Sequence, residues 1–245
     1  MLKAYLERCD KEWFDDFVYV ARQPLADRGF EIVPFKGEFL NDHTFDSANP
    51  DDVVVGSVEA TVAFWASLCI KVPGYIGYPE QLARYLGRKV ERTKLGDIPL
   101  SRLPVFIKPA SSVKMFTGAV VDTPGSIHML KQFTEGLNND TELYMSEPVN
   151  MLSEYRCFVH KGVLVGVKHY LGDFKLFPDL GLVEMMIKDW NCSPVSYTID
   201  VAVTDDGSTL LVEVNDFWAI GGYGLDGRTY VRMLIDRFQE IKGAL

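Results

Sequence analysis

The segment Tyr197 to Asp216, YTIDVAVTDDGSTLLVEVND, constrains this chain more than any other. Two apolar, β-branched runs flank an Asp-Gly pair, which is the strongest short-range signal for a β-hairpin. The reading is a two-residue turn at Asp206-Gly207, with both residues at positive φ. Asp200 then lies directly across from Glu213. Side chains alternate along a strand, so Asn215 shares the face of Glu213. Ile199, Val201, Val212 and Val214 point to the other face and supply core. A three-residue loop would shift this pairing.

Two carboxylates directly opposite each other destabilise a strand pair. A cation removes that cost. Oxygen donors without His or Cys suit a hard ion such as Mg²⁺, which is held by few carboxylates and completes its shell with water and phosphate oxygens. Asp200, Glu213 and Asn215 are therefore candidate metal ligands. The competing reading is an acidic hairpin face left in water.

The rest of the composition narrows the partners. The chain has 245 residues, with 25 Lys and Arg against 34 Asp and Glu and a formal net charge of -9. Extended nucleic-acid binding needs cations along the phosphates and is not expected. A local basic pocket for a nucleotide is compatible with this balance. Cys9, Cys69, Cys157 and Cys192 form no CxxC pair and read as reduced thiols. The start of the chain is charged, and no apolar run approaches the ~18 residues of a membrane span. The expectation is a cytoplasmic protein with no membrane contact.

The first third alternates strands and helices: a helix at Pro24 to Arg28 closed by Gly29, strands at Phe30 to Phe35 and Asp52 to Gly56, and a helix at Val58 to Leu68. That order predicts an α/β layer with a parallel sheet. From Pro104 onward, strands joined by tight turns predict an α+β half built on antiparallel sheets. One helix, roughly Pro124 to Leu137, interrupts them, and Gly227 to Ile241 predicts a closing helix. The boundary falls near residues 85–103.

Lys108 ends the strand PVFIKP and precedes a polar loop holding Ser111, Ser112 and Lys114. An ammonium, hydroxyls and backbone N–H groups together can hold phosphate. In SEYRCFVHKGVLVG, a three-residue His160-Lys161-Gly162 loop would set Glu154 against Lys168, with Arg156 on the same face. A two-residue turn at Lys161-Gly162 would put Lys168 on the opposite face from Arg156. The surface reading is an ordinary ion pair, and the functional reading is a nucleotide pocket. Phe217, Trp218 and Tyr223 follow the candidate metal ligands, as core or as the wall of an acceptor site.

Taken in order, VFIKP, SSVKMFTG, SEPV, SEYRCFV, IDVAV and LVEVND resemble the ATP-grasp superfamily over roughly residues 88–225. SEYR, the KMFTG loop and VEVNDFWAIGGYGL are similar to the small clade named for one arginine and two lysines, whose members are predicted amino-acid or peptide ligases. The resemblance implies a Rossmann-like domain at 1–87 and an ATP-grasp domain at 88–245, with a lid at about 88–145 and a metal-binding half at about 146–245. It implies that Lys108 and Lys114 contact phosphates, that Glu147, Pro148 and Val149 form the adenine-reading hinge, and that Glu154 holds the ribose. Asp200, Glu213 and Asn215 would hold Mg²⁺, and Arg156 and Lys168 would be the catalytic cations. Arg88, Lys89, Arg92 and Lys94 compete for a further phosphate-facing role. Asp216, Gly221, Gly222 and Tyr223 would lie near the acceptor. The implied activity is an ATP- and Mg²⁺-dependent ligation of small-molecule or peptide carboxylate and amine substrates through an acylphosphate. The alternatives are an ATP-binding assembly chaperone or a kinase-like phosphotransferase.

Overall fold

The computed structural model describes residues 1–10, 12–41, 43–111 and 115–243. Lys114 lies outside the described residues. The chain begins with β1 (Lys3–Cys9), β2 (Glu12–Trp13), α1 (Asp16–Asp27), β3 (Glu31–Lys36), β4 (Val53–Val55) and α2 (Val58–Ser67). Strand β1 runs parallel to both β3 and β4, and β2 pairs antiparallel with its end. The parallel layer is as expected, but its central strand escaped sequence reading. Its apolar run is only Ala4, Tyr5 and Leu6, followed at once by Glu7 and Arg8.

Helix α1 also starts earlier than expected. Asp15 caps it by accepting from Asp16 N, and Pro24 sits inside it. Proline cannot donate to the carbonyl four residues before it. That carbonyl, Val20 O, is where Gly227 approaches, and a Cβ at Gly227 would lie 2.2 Å from it. The last helix therefore crosses α1 at near backbone contact.

The remaining elements are β5 (Val90–Lys94), β6 (Val105–Pro109), β7 (Ala119–Val121), α3 (Pro124–Phe133), β8 (Glu142–Ser146), β9 (Met151–His160), β10 (Val163–Gly172), α4 (Leu180–Asp189), β11 (Ser196–Thr204), β12 (Thr209–Asp216) and α5 (Gly227–Gly243). They build two antiparallel four-stranded sheets, ordered β5-β8-β6-β7 and β10-β9-β11-β12. Residues 147–150 carry the chain from one sheet to the other. Helix α4 was not expected. It closes the second core, with Met186 and Trp190 buried against Tyr197 and Ile199. Helix α5 completes the first core, where Tyr230, Leu234 and Phe238 pack with Tyr5, Phe64 and Phe217. The N-terminal layer and the end of the chain thus share one hydrophobic interior. No helix among the described residues is long and apolar enough to cross a membrane.

The β11–β12 hairpin reaches the expected pairing by a different route. Its loop has three residues, 205–207: Thr204 N donates to Ser208 O at 2.9 Å, and Gly207 N donates to Thr204 O at 3.0 Å. Gly207 takes a positive φ of 81°, whereas Asp206 does not take one. This loop would pair Asp200 with Val212. A register shift between Asp200 and Val201 restores one residue, and Asp200 lies opposite Glu213. The guanidinium of Arg88 donates to the carbonyls of Leu211 and Val212 at this irregularity, at 2.9 and 3.1 Å. Val212 accordingly lines a cavity beside Glu213 and does not join the core.

The β9–β10 hairpin departs from expectation too. Lys161 and Gly162, at φ of 52° and 72°, form a two-residue turn. Register shifts then set Lys168 opposite Arg156 and Leu171 opposite Glu154. The expected pairing of Glu154 with Lys168 does not form. A Cβ at Gly172, where φ is 83°, would stand 2.1 Å from Leu152 O, whereas a Cβ at Gly207 meets open space. Gly207→Ala is expected to cost about 1 kcal/mol from backbone strain alone. Gly172→Ala adds a clash with fixed backbone and is expected to cost roughly 3 kcal/mol or more. Urea unfolding of the two variants measures the difference.

Candidate active site

A cavity of about 600 Å³ lies between the two antiparallel sheets. That size falls within the usual range for small-molecule sites. Strand β6 places Lys108 in its wall, β9 places Glu154 and Arg156, β11 places Asp200, and β12 places Glu213. Glu147, Pro148 and Val149, in the crossing between the sheets, line it as well.

Two cation–carboxylate pairs organise this space. Arg156 Nε and Nη2 donate to Asp200 Oδ1 and Oδ2 at 2.9 and 2.7 Å, a bidentate pair. The side chains are 6% and 2% exposed. Lys108 Nζ pairs with Glu213 Oε2, and both side chains are nearly buried. Asn215 Nδ2 links the two carboxylates, 3.3 Å from Asp200 Oδ2 and 3.3 Å from Glu213 Oε1. The three groups expected at the metal site are therefore adjacent.

Burial by itself would lower the pKa of the Lys108 ammonium. The charge of Glu213 more than offsets this, and the net shift is upward. Burial likewise opposes the charge on Arg156, and Asp200 overcomes it. Both cations stay charged. Burial raises the Glu154 carboxyl above the usual range, while a hydrogen bond from the Tyr170 hydroxyl at 2.7 Å opposes the rise. Burial pushes the Cys157 thiol up to about 12, with Asp200 adding to the effect. It is no nucleophile at neutral pH.

Asp200, Glu213 and Asn215 fit Mg²⁺ in donor chemistry. Among the described residues no group of three His, Cys, Asp or Glu side chains could hold a metal. Two carboxylates and one amide do not make an all-protein cage. They match an ion that takes the rest of its shell from phosphate and water. Assignment of Asn215 O and N is interchangeable by rotation of the amide, so its oxygen can face an ion.

The other expected residues are distributed more widely. Lys168 stands opposite Arg156 in the strand pairing, half-buried, and outside the residues lining the cavity. Of the early cations Arg88 lines the cavity, with its guanidinium committed to strand carbonyls. Arg92 lies over Tyr144, Lys94 pairs with Asp140, and Lys89 pairs with Glu91. Phe217 is fully buried core.

Sequence reading missed two tyrosines. Tyr75 and Tyr78 place their rings 5.6 and 4.9 Å from Lys108 Nζ. The Tyr75 hydroxyl donates to Glu213 Oε2 at 3.3 Å. Their source is the segment PGYIGYP, where Gly77 bridges to Val214 in both directions, at 3.1 and 2.8 Å. Two Gly-Tyr steps between prolines were the available signal. A second cavity of about 400 Å³ adjoins the first, between the N-terminal layer and the loop after β12. Phe14, Ser57, Asn215, Asp216 and Trp218 are among its walls. Asp216 itself is held by Arg237, at 2.7 and 2.6 Å.

Residues 85–233 match the model of an ATP-grasp domain, family 2 of the clade named for one arginine and two lysines. The chain belongs to that family. The ATP-grasp fold recurs over nearly the whole chain in solved structures. D-alanine–D-alanine ligase from Bacillus anthracis is similar at a TM-score of 0.58 with 16% identity, covering 99% of this chain and 98% of that one. A RimK domain ATP-grasp protein from Sphaerobacter thermophilus is similar at 0.59 with 14% identity, covering 96% and 98%. The D-cycloserine synthetase DcsG is similar at 0.62 with 11% identity, covering 96% and 99%. No curated protein matches the chain in sequence.

In this ATP-grasp chain the Arg156–Asp200 pair is the more deeply buried of the two. Breaking a buried pair leaves an uncompensated charge and costs about 3–5 kcal/mol. Arg156→Ala is expected to lose that much in chemical unfolding. The double variant Arg156→Met with Asp200→Asn is expected to lose less than the single one, which a double-mutant cycle measures.

Proposed function

We propose that this chain is an ATP- and Mg²⁺-dependent ligase that joins a carboxylate to an amine through an acylphosphate. The observation that carries this reading is the pair of ion pairs, Lys108–Glu213 and Arg156–Asp200, bridged by Asn215 in one cavity between two sheets. Asp200 and Glu213 each have a cation, so these two pairs are charge-balanced. A metal–triphosphate can exchange with these pairs without leaving a charge alone. Asp200 and Glu213 would hold the metal, and Lys108 and Arg156 would be left to hold phosphate oxygens.

Family membership and the ligase folds named above support the same reading. Glu147, Pro148 and Val149 offer backbone groups to adenine from the crossing between the sheets. Glu154 faces the ribose hydroxyls, oriented by Tyr170. Lys108 holds phosphates under Tyr75 and Tyr78, and the family resemblance gives Lys114 the same role. Mg²⁺ held by Asp200, Glu213 and Asn215 would neutralise charge that develops on the phosphates. Arg156 would stand nearest the transferred group, whereas Lys168, outside the cavity lining, is left without that role.

The reaction proceeds in two displacements. A substrate carboxylate oxygen bonds to the γ-phosphorus, and ADP leaves. The amine nitrogen then bonds to the acyl carbon, inorganic phosphate leaves, and the nitrogen loses a proton. No protein nucleophile is required. Among the described residues lining either cavity there is no His or Cys. The second cavity is the proposed place of the acceptor. Its residues come from both the N-terminal layer and the β12 loop, which suits a site that must receive two small-molecule or peptide substrates.

Asp200→Asn is expected to abolish ATP-dependent amide formation in a screen of amino-acid acceptors, with circular dichroism showing the fold retained. Undiminished turnover in that variant removes the ligase reading. The product mass distinguishes the chemistry: an amide for a ligase, a phosphate ester for a kinase.

A further inference from the structure

Among the described residues, the two cavities share three lining residues: Tyr75, Arg156 and Tyr223. Their junction thus holds one buried cation and two aromatic rings. The Arg156 guanidinium lies 4.8 Å from the centre of the Tyr223 ring and 5.8 Å from that of Tyr170. The two rings stack on each other, 5.2 Å apart at 20°. Tyr170 in turn donates to Glu154 at 2.7 Å. A continuous series of contacts therefore runs from the proposed ribose carboxylate, through Tyr170 and Tyr223, to Arg156 at the mouth of the second cavity.

Tyr223 is held at a φ of +45°. A residue with a Cβ adopts that conformation only where its surroundings over-determine it, and such residues gather at functional sites. Two backbone tethers fix its neighbours: Gly224 N donates to Asp16 Oδ2 at 3.2 Å, and Leu225 N donates to Gly222 O at 2.9 Å. The ring itself is held by the stack on Tyr170 and by the Arg156 cation. Yet Tyr223 remains 45% exposed. A strained position that leaves its side chain half in solvent contributes little to the core. What the strain achieves is the placement of a ring at the boundary between two spaces.

We infer that Tyr223 is the partition between the nucleotide and acceptor cavities, and that it keeps water of the second cavity off the terminal phosphate so that ADP release waits for an acceptor. The inference rests on the proposed ligase function and adds to it the control of the side reaction. Without the partition, a water oxygen bonds to the γ-phosphorus, and the bond from that phosphorus to the leaving ADP oxygen breaks. The products are ADP, inorganic phosphate and a proton. Tyr223 touches no reacting atom in this scheme and is a positioning residue. Its ring does the excluding, since no hydrogen bond of its hydroxyl is seen among the described residues.

The test uses the full chain with ATP and Mg²⁺ and no acceptor. ADP release is followed for the wild type and for Tyr223→Phe, Tyr223→Ala and Tyr223→Gly, with ATP retention measured separately by equilibrium dialysis. Removing the ring is expected to raise acceptor-free ADP release by about tenfold or more, because water exclusion is what suppresses such side reactions. ATP retention falls by much less than ADP release rises, and Tyr223→Phe, which keeps the ring, raises release far less than Tyr223→Ala. The glycine variant relieves the positive φ, so it folds even where the alanine variant fails. A purely structural role would lower ADP release and ATP retention together. Unchanged or lower release from Tyr223→Gly with normal ATP retention overturns the inference. Failure of the wild type to retain ATP would overturn the ligase reading itself, and this inference with it.

Discussion

Everything at this site depends on holding four charged side chains in a nearly dry interior before any ligand arrives. Removing a charge from water costs several kcal/mol even after relaxation, and a buried pair recovers that only with good geometry and satisfied hydrogen bonds. Arg156 and Asp200 meet the condition with two parallel hydrogen bonds. Lys108 and Glu213 meet it with one contact, two flanking tyrosine rings and the Tyr75 hydroxyl. Asn215 ties the pairs together. The set contributes less to stability than an apolar filling would. In the proposed function its value lies in being exchangeable: each carboxylate and each cation would have a ligand group of opposite sign to move to.

That exchange requires strands that do not move. Asp200 and Glu213 sit opposite each other only because a register shift in the β11–β12 hairpin corrects its three-residue loop. Arg88 secures the shifted strand by donating to two of its carbonyls, and Gly77 pairs with Val214 from the other side. Behind the N-terminal wall of the second cavity, a buried Glu7 accepts from Ser57 N at 2.5 Å. Glycines at 37 and 56 leave it room, since a Cβ at either would meet its carboxylate oxygens at 2.0 or 2.4 Å. The site is thus braced by polar contacts from segments far apart in the chain.

This arrangement explains what the sequence discloses and what it withholds. Asp200, Glu213 and Asn215 were legible because period-two alternation fixes which strand residues share a face. The turn was misread, and the pairing survived only because a second irregularity compensated. Hairpin loops and register shifts depend on contacts such as Arg88 to the β12 carbonyls, which no local pattern encodes. Lys168 shows the same difficulty: both loop readings missed its pairing with Arg156, which one register shift between Leu164 and Gly166 decides. Strand β1 was hidden by its charged end, and that end is charged because Glu7 braces helix α2. The second cavity was invisible for a simpler reason. Phe14, Ser57, Tyr75 and Trp218 meet only in three dimensions.

The charge balance follows from the same division. The chain carries nine more acidic than basic residues. Lys94, Arg84 and Lys89 pair with acids at the surface, where water and salt leave such pairs worth little. Arg88, Lys108, Arg156 and Arg237 are held inside, each committed to a carboxylate or to backbone carbonyls. The net charge of the chain as a whole does not favour the approach of a triphosphate. In the proposed function, affinity would come from short-range donors that a metal frees by taking their carboxylates. On that reading nucleotide and metal binding would be coupled, since either alone would displace one member of an internal pair and leave a buried charge unpaired.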